Sequence, residues 1–267
     1  MLRKDSLRLF DVTIRHTLQS LDKPWSLKEK INILNNVIVE RNPSSIEIGS
    51  VVSSNMLFQT YNSNNLFNSI IPKTTDIYML IPNIKSLDIA FNNNIKNFSF
   101  ITSVSNEFQK KNTNKNIKDT KHDIHIMMQK LQCIPDTKVK LYISCITHCP
   151  IYGKVENYNI LNEILYYYYT HTTIHDICLS DTCGTLDFQN FKTIIDYLTN
   201  QNIDFSRISL DLQNQYDEQN IKNIILYAMK NGIYKFDVSN INYKKDYSNI
   251  IHNPQGNISY DIIMQHF

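Results

Sequence analysis

Glycine is scarce in this chain, with 5 residues in 267. A loop that cradles a phosphate or swings as a lid needs positions tolerant of positive φ and of close backbone approach, so few such loops can exist here. No G-x-G-x-x-G or P-loop pattern occurs. Long apolar runs are missing too, since none approaches the ~20 residues that a membrane span requires. The opening stretch "MLRKDSLRLF" lacks the apolar centre of a secretion signal. Charge of one sign is also absent: 27 basic and 25 acidic residues leave a net +2 spread along the chain, which offers no electrostatic footprint for nucleic acid. The lysine-rich stretch Lys110 to Lys118 is the main exception and reads as a solvated loop. The 5 cysteines, Cys133, Cys145, Cys149, Cys178 and Cys183, are odd in number and have no secreted context, so reduced thiols are expected. These absences together imply a soluble cytoplasmic protein with neither a nucleic-acid nor a membrane partner.

What the chain does contain is a regular alternation. At 42% hydrophobic residues it can bury a large core. Short β-branched runs alternate with longer stretches of helical periodicity about every 30 residues, as βα units require. Strands are expected at Leu7–Thr13, Ser45–Ser50, Asp76–Ile81, Asn97–Ser103, Val139–Cys145, Ile174–Ser180, Arg207–Leu212 and Ile233–Ser239. Helices are expected at Leu27–Arg41, Ser63–Ile70, Ile84–Asn94, Ile117–Cys133, Asn157–His171, Asp187–Asn202, Glu218–Asn231 and Ser259–Phe267. Ser26 with Glu29 three residues on, and Asn83 before its apolar stripe, supply start signals. Eight βα units in one chain of this length point to a closed (β/α)8 TIM barrel, an α/β fold in one domain over residues 1–267; a doubly wound sheet is the competing architecture. The tetrad Tyr166 to Tyr169 falls inside a helical pattern and reads as a mixed core and rim face.

A βα barrel builds its chemistry at the C-terminal ends of its strands. The residues collected there are Arg15, His16 and Gln19 after the first strand, Glu47, Ser50 and Ser53 on and after the second, and Asn83 after the third. Ser103 and Ser105 follow the fourth. The fifth ends in "SCITHCPIYGK" with Ser144, Cys145, His148 and Cys149, and the sixth in "SDTCG" with Asp181 and Thr182. Asp211 and Gln213 end the seventh, and Asn240 and later Asn257 follow the eighth. Glu47 is a carboxylate inside an apolar strand and should be paired, with Arg15 at the adjacent strand end as its partner. Cys145, His148, Cys149 and Cys183 approach zinc-ligand spacing, while His122 and His125, one helical turn apart, read as an exposed polar face. Asp181, at a strand-to-helix turn, reads as an acid that orders its neighbours.

In order along the chain these stretches resemble the hydroxymethylglutaryl-CoA lyase family of TIM-barrel, metal-dependent acyl-CoA lyases and synthases. "DVTIRHTLQ" is similar to that family's D-x-T-L-R-D-G-x-Q opening, "SIEIGSVVSS" to its second strand, "IPNIKSLDIAF" to its third βα turn and "SDTCG" to its D-T-x-G turn. "SNEFQKKN" and "YISCITHCPIYGKV" resemble the lyase branch in particular, and they explain Cys145 and Cys149 as family positions. The resemblance implies a retro-aldol carbon–carbon cleavage of a 3-hydroxy-acyl-CoA. A divalent cation and an arginine would favour ionisation of the hydroxyl and stabilise the enolate. It makes Arg15 the enolate-stabilising arginine, Glu47 the second-strand glutamate and Asn257 a ligand asparagine. It also implies substrate-binding or supporting positions at Gln19, Ser50, Asn83, Ser144, Cys145, Asp181 and Thr182, and an expected homodimer.

Departures from the family pattern are concentrated at the metal. His16 stands where the resemblance places an aspartate ligand, and Asp211-Leu212-Gln213 stands for its H-x-H. The ligand set it implies is therefore His16, Asp211, Gln213 and Asn257, a set that disfavours hard magnesium and leaves zinc or manganese, or no metal at all. The family's G-x-G-G-C-P lid has no counterpart, since no cysteine follows Cys183; His252 in that segment could substitute in principle, though a lone loop histidine reads more often as a solvated side chain. The barrel closure at the C-terminal end is expected to be shortened. Two readings follow: a working lyase with permuted ligands, or a catalytically silent barrel that keeps a binding or structural role.

Overall fold

In the computed structural model, residues 6–15, 25–51, 63–69, 74–213, 217–240 and 256–266 are described. His16, Gln19, Ser53 and His252 lie outside them. Eight parallel strands close into a barrel: β1 (Arg8–Asp11), β2 (Ser45–Ser50), β3 (Asp76–Leu80), β4 (Asn97–Ser103), β5 (Lys138–Ser144), β8 (Asp176–Ser180), β9 (Ile208–Asp211) and β10 (Lys235–Val238), with β10 pairing back onto β1. Closure rules out the open doubly wound sheet. Between the strands run α1 (Leu27–Arg41), α2 (Ser63–Ser69), α3 (Ile84–Asn92), α4 (Asn106–Thr113), α5 (Ile117–Leu131), α6 (Asn157–Thr170), α7 (Phe188–Asn200), α8 (Glu218–Lys230) and α9 (Tyr260–Met264).

The helix starts follow from local side-chain chemistry. Ser26 and Glu29 form a reciprocal capping box at α1, and Asn83 Oδ1 accepts the Ser86 N–H at 2.9 Å to open α3. Two elements depart from expectation. The stretch Lys110–Lys118 is not one loop: it ends α4, where Lys110 and Lys111 sit in the last turn, and begins α5, with Lys115 paired to Asp123. The segment after β5 folds into a small hairpin of β6 (His148–Cys149) and β7 (Gly153–Lys154). In α6, Tyr167 is buried, Tyr166 and Tyr168 are packed against the core, and Tyr169 is exposed, so the tyrosine tetrad is the core and rim face that its spacing implies. Among the described residues no helix is long and apolar enough to cross a membrane.

Among the described residues the buried apolar side chains form two compartments. The large one lies between the outward face of the strands and the helices, with Ile46, Ile48, Phe98, Phe100, Leu141, Ile143, Ile177 and Leu210 meeting Leu34, Ile124, Ile164, Ile194 and Ile224. Gly49 belongs to this packing, because a Cβ there would collide with Ser63 Oγ at the start of α2. The second compartment is a small cluster of Phe10, Val12 and Tyr78, with Phe10 and Tyr78 edge to face at 5.0 Å. It shares the barrel lumen with charge. Lys140 of β5 reaches Asp237 of β10 at 2.7 Å, Asp176 of β8 at 3.0 Å and Ser209 of β9 at 3.0 Å, and Tyr142 donates to Asp237 at 2.7 Å. The Lys140 ammonium also sits 4.5 Å from the Phe10 ring centroid.

Lys140 is held charged: burial opposes its charge, but Asp176 and Asp237 raise its pKa well above the ordinary value. Burial, joined by Asp211, pushes the Asp237 carboxyl up to about 7 against the pull of Lys140. Lys140→Met therefore strands a buried carboxylate and is expected to lower stability by about 3–5 kcal/mol. The loss should grow between pH 6 and 8, as Asp237 is forced to ionise without its cation, and should shrink when Asp237→Asn is added. Urea unfolding of the three variants across that pH range measures all of this.

Candidate active site

The end of β1 shows how one acid shapes the mouth of the barrel. Asp11 is fully buried; its Oδ1 accepts the Thr13 N–H at 2.9 Å, and its Oδ2 accepts the Thr13 hydroxyl at 2.9 Å and the Tyr260 hydroxyl at 2.7 Å. The chain is thereby bent into a helical turn over Thr13–Arg15, as an Asx-type side-chain bond does. Thr13 Oγ1 in turn accepts the Asn240 N–H at 2.8 Å, so the turn is tied to the end of β10. Asp11 was not among the site residues expected from sequence. Its signal was the D-x-T spacing, which reads equally well as an ordinary strand end.

That turn delivers Arg15 into the barrel. Its Nε lies 2.5 Å from Glu47 Oε2, and its guanidinium sits over the Tyr142 ring at 4.7 Å. The pairing expected from the carboxylate in β2 is present. Burial alone would weaken the charge on Arg15, but Glu47, with Tyr142, Asp211 and Asp237, raises its pKa further, so the cation is fixed at every accessible pH. Glu47 is completely buried, which makes the pair costly to break from either side.

Across the mouth, Asp211 ends β9. Its Oδ2 accepts the Ser180 hydroxyl at 2.6 Å and its Oδ1 accepts from Asn257 Nδ2. Asn257 is brought there by backbone: the segment around it bridges antiparallel to Gln213, Ile258 N–H donates to Leu212 O at 3.0 Å, and Ser239 N–H donates to Ile258 O at 3.1 Å. Asp211 and Asn257, two of the four expected ligand positions, thus meet through their side chains, and Gln213 lies beside Asn257 through the backbone bridge. Asn257 Oδ1 is buried without a hydrogen-bond partner beside Asp211, an oxygen donor that a cation would satisfy.

The remaining expected positions divide by what they touch. Ser50 donates to Leu80 O at 3.1 Å and ties β2 to β3, and Asn83 is the cap of α3. Asp181 accepts from Thr147 Oγ1 and Thr185 N–H at 3.1 Å and from Leu186 N–H at 3.0 Å, the ordering role its turn position implies. Ser144 is buried at the end of β5 and its carbonyl accepts the Ser103 hydroxyl at 3.3 Å. Cys145 follows in a left-handed conformation, φ 65°, with its N–H held by Thr182 Oγ1 at 2.8 Å. Burial pushes its thiol up to about 12, against hydrogen bonds from Ser103 and Thr182. Cys149 differs: burial raises its pKa, but the Ser105 hydroxyl at 3.0 Å and the Ile151 N–H at 3.4 Å outweigh it and bring the thiol below its ordinary value. Cys183 donates to His148 O at 3.4 Å and His148 Nδ1 meets Thr185 Oγ1 at 2.8 Å, so this cluster spends its groups on the hairpin. Among the described residues no three His, Cys, Asp or Glu side chains form a metal-holding group.

A family model described as HMGL-like matches residues 6–239. The chain is 28% identical over 151 residues to the 3-hydroxy-3-isohexenylglutaryl-CoA/hydroxy-methylglutaryl-CoA lyase of Pseudomonas aeruginosa, covering 56% of this chain and 50% of that protein. It is 27% identical over 179 residues to the mitochondrial hydroxymethylglutaryl-CoA lyase of Macaca fascicularis, covering 67% and 54% respectively. The match thus spans about half the length of these curated relatives. Among solved structures, the fold superposes with a TM-score of 0.83 and 21% identity on an HMG-CoA lyase from Acinetobacter baumannii in complex with coenzyme A and 3-methylmalate, covering 100% of this chain and 85% of that one.

Asp11 offers a test of the mouth's framework. Burial raises its pKa to about 6, against the hydrogen bonds from Tyr260 and Thr13. A carboxyl whose folded pKa exceeds its unfolded value keeps a proton that the unfolded chain has lost, so its contribution to stability falls as pH rises from about 4 to about 6. Asp11→Asn is expected to flatten that slope in the urea midpoint. It should also weaken the Thr13–Arg15 turn, since an amide has one acceptor oxygen and cannot serve both the Thr13 N–H, on Oδ1, and the two hydroxyls, on Oδ2.

Proposed function

The chain belongs to the HMGL-like family, and from that premise we propose that residues 1–267 act as one lyase domain that cleaves the carbon–carbon bond of a 3-hydroxy-acyl-CoA, giving an acyl-CoA and a keto acid. The observation that carries this reading is the buried Arg15, paired to Glu47 and stacked on Tyr142, at the same barrel mouth as Asp211 and Asn257. Retro-aldol cleavage breaks the bond between C2 and C3 of the acyl chain. The C3 hydroxyl gives up its proton and becomes the carbonyl of the keto acid, while the bonding electrons pass to the thioester enolate, which is then protonated at carbon. A cation fixed beside the enolate oxygen lowers that barrier, and Arg15 is such a cation. Glu47 and Tyr142 hold its guanidinium in place before substrate arrives, so little reorganisation remains for the reaction itself.

Asp211, Asn257 Oδ1, Gln213 and His16 would hold a divalent cation. When bound, that ion supplies Lewis acidity at the substrate's oxygens. With one carboxylate, two amides and an imidazole, zinc or manganese suits this set better than magnesium. The relatives' names point to two substrates for assay, hydroxymethylglutaryl-CoA and 3-hydroxy-3-isohexenylglutaryl-CoA. One observation favours the second reading, a silent barrel: both Asp211 oxygens already accept hydrogen bonds, from Ser180 and Asn257.

Both thioesters are to be offered to the purified protein with zinc, manganese and magnesium in turn. Release of the keto acid, stoichiometric metal uptake that Asp211→Asn weakens, and a fall of about 10²–10³ in kcat on Arg15→Gln are expected. Absence of both metal uptake and cleavage with all three ions would establish the silent barrel instead.

A further inference from the structure

The end of the barrel opposite the mouth carries a cavity of about 540 Å³, within the size range of small-molecule sites. In barrels of this class that face normally serves stability alone. Here its lining includes Arg8, Lys138 and Lys235 against Asp76 and Asp176, with His175 among them. Lys138 is committed to Asp76 at 2.6 Å, and Asp176 Oδ2 to Lys140 at 3.0 Å. Lys235 reaches the His175 carbonyl at 3.2 Å. Arg8 and Lys235 are register partners on the paired strands β1 and β10, which sets these two cations side by side at this end of the barrel.

His175 reports the potential of this space. Its pKa is lowered first by burial, then by Lys235, Lys138 and Arg207, with Asp176 alone among the named charges acting the other way. Its Nδ1 accepts the Val139 N–H at 3.3 Å, consistent with a neutral ring. Burial and the neighbouring Lys140 and Arg207 likewise lower the pKa of Lys235, against Asp176 and Asp204. A cavity whose cations repel one another in this way attracts an anion.

We propose that the N-terminal end of the barrel is a second ligand site, separate from the mouth, that takes a small oxyanion. The oxyanion is held by Arg8 and Lys235, the two lining cations that are not committed to the carboxylates Asp76 and Asp176.

Calorimetric titration with malate and with inorganic phosphate tests this, and both should bind. Lys235→Gln and Arg8→Gln should each weaken binding about ten-fold, and Asp211→Asn at the mouth should leave it unchanged. Proton NMR of the His175 ring, assigned with His175→Asn, supplies a readout that needs no destabilising variant, because malate should raise its apparent pKa. Binding lost in Asp211→Asn but kept in Arg8→Gln places the ligand at the mouth and overturns the proposal. So does the absence of both heat and a His175 shift at roughly 50 mM ligand, far above useful affinity.

Discussion

A closed barrel sends every second strand residue into a lumen that water cannot fill, so any charge placed there must find its counter-charge inside the same narrow space. Lys140 meets that constraint for the strands β5, β8, β9 and β10 at once, because Asp176, Ser209 and Asp237 all converge on its ammonium. Apolar packing outside the barrel fixes the strands against the helices but says little about how the interior is arranged. The ammonium and its partners do that, and Tyr142, bonded to Asp237, carries the arrangement upward to the face on which Arg15 rests. The lumen is thus a column of alternating charge running from the N-terminal cavity to the mouth, with Phe10 and Tyr78 as an aromatic filler along one wall.

The mouth is built by the same logic with a different device. Asp11, Asp181 and Asp211 are buried carboxylates that accept from backbone and hydroxyl donors, and each holds a strand end in a conformation useful to its neighbour. Asp11 turns the chain so that Arg15 points inward, and Asp211 receives Asn257 from a segment zipped against β9 and β10. The acids at the strand ends set the frame, and Arg15 is the cation it presents.

Much of this was legible in the sequence because the signals were local. Ser26 and Glu29 mark α1 at both its start and its register, and the alternation of β-branched runs with helical periods gives the barrel. The pairing of Glu47 with Arg15 follows from the improbability of a lone carboxylate in a buried strand. What was missed depended on tertiary context. In β5, "KVKLYIS", Lys138, Lys140, Tyr142 and Ser144 share one face at period two, but nothing local says that this face looks into a lumen where Asp237, almost a hundred residues on, is waiting. The helix α4 was hidden by its polarity, since "NEFQKKNT" has too few apolar residues to show a stripe and is set by the Ser105 cap instead. Asn83 and Ser50 carry the residue types of a binding site, yet their hydrogen bonds go to a helix end and a neighbouring strand.

The bond from Tyr260 to Asp11 joins residues 249 apart in sequence. Such a contact is reached only after nearly the whole chain has been brought together, so its loop-closure entropy is spent late. Arg41 reinforces the same junction through Asp261 at 3.0 Å and the Tyr260 ring at 5.5 Å. The turn that aims Arg15 therefore joins a local bond, Asp11 to Thr13, to one that closes a loop of 249 residues, so its full set of hydrogen bonds exists only once the two ends of the barrel have met.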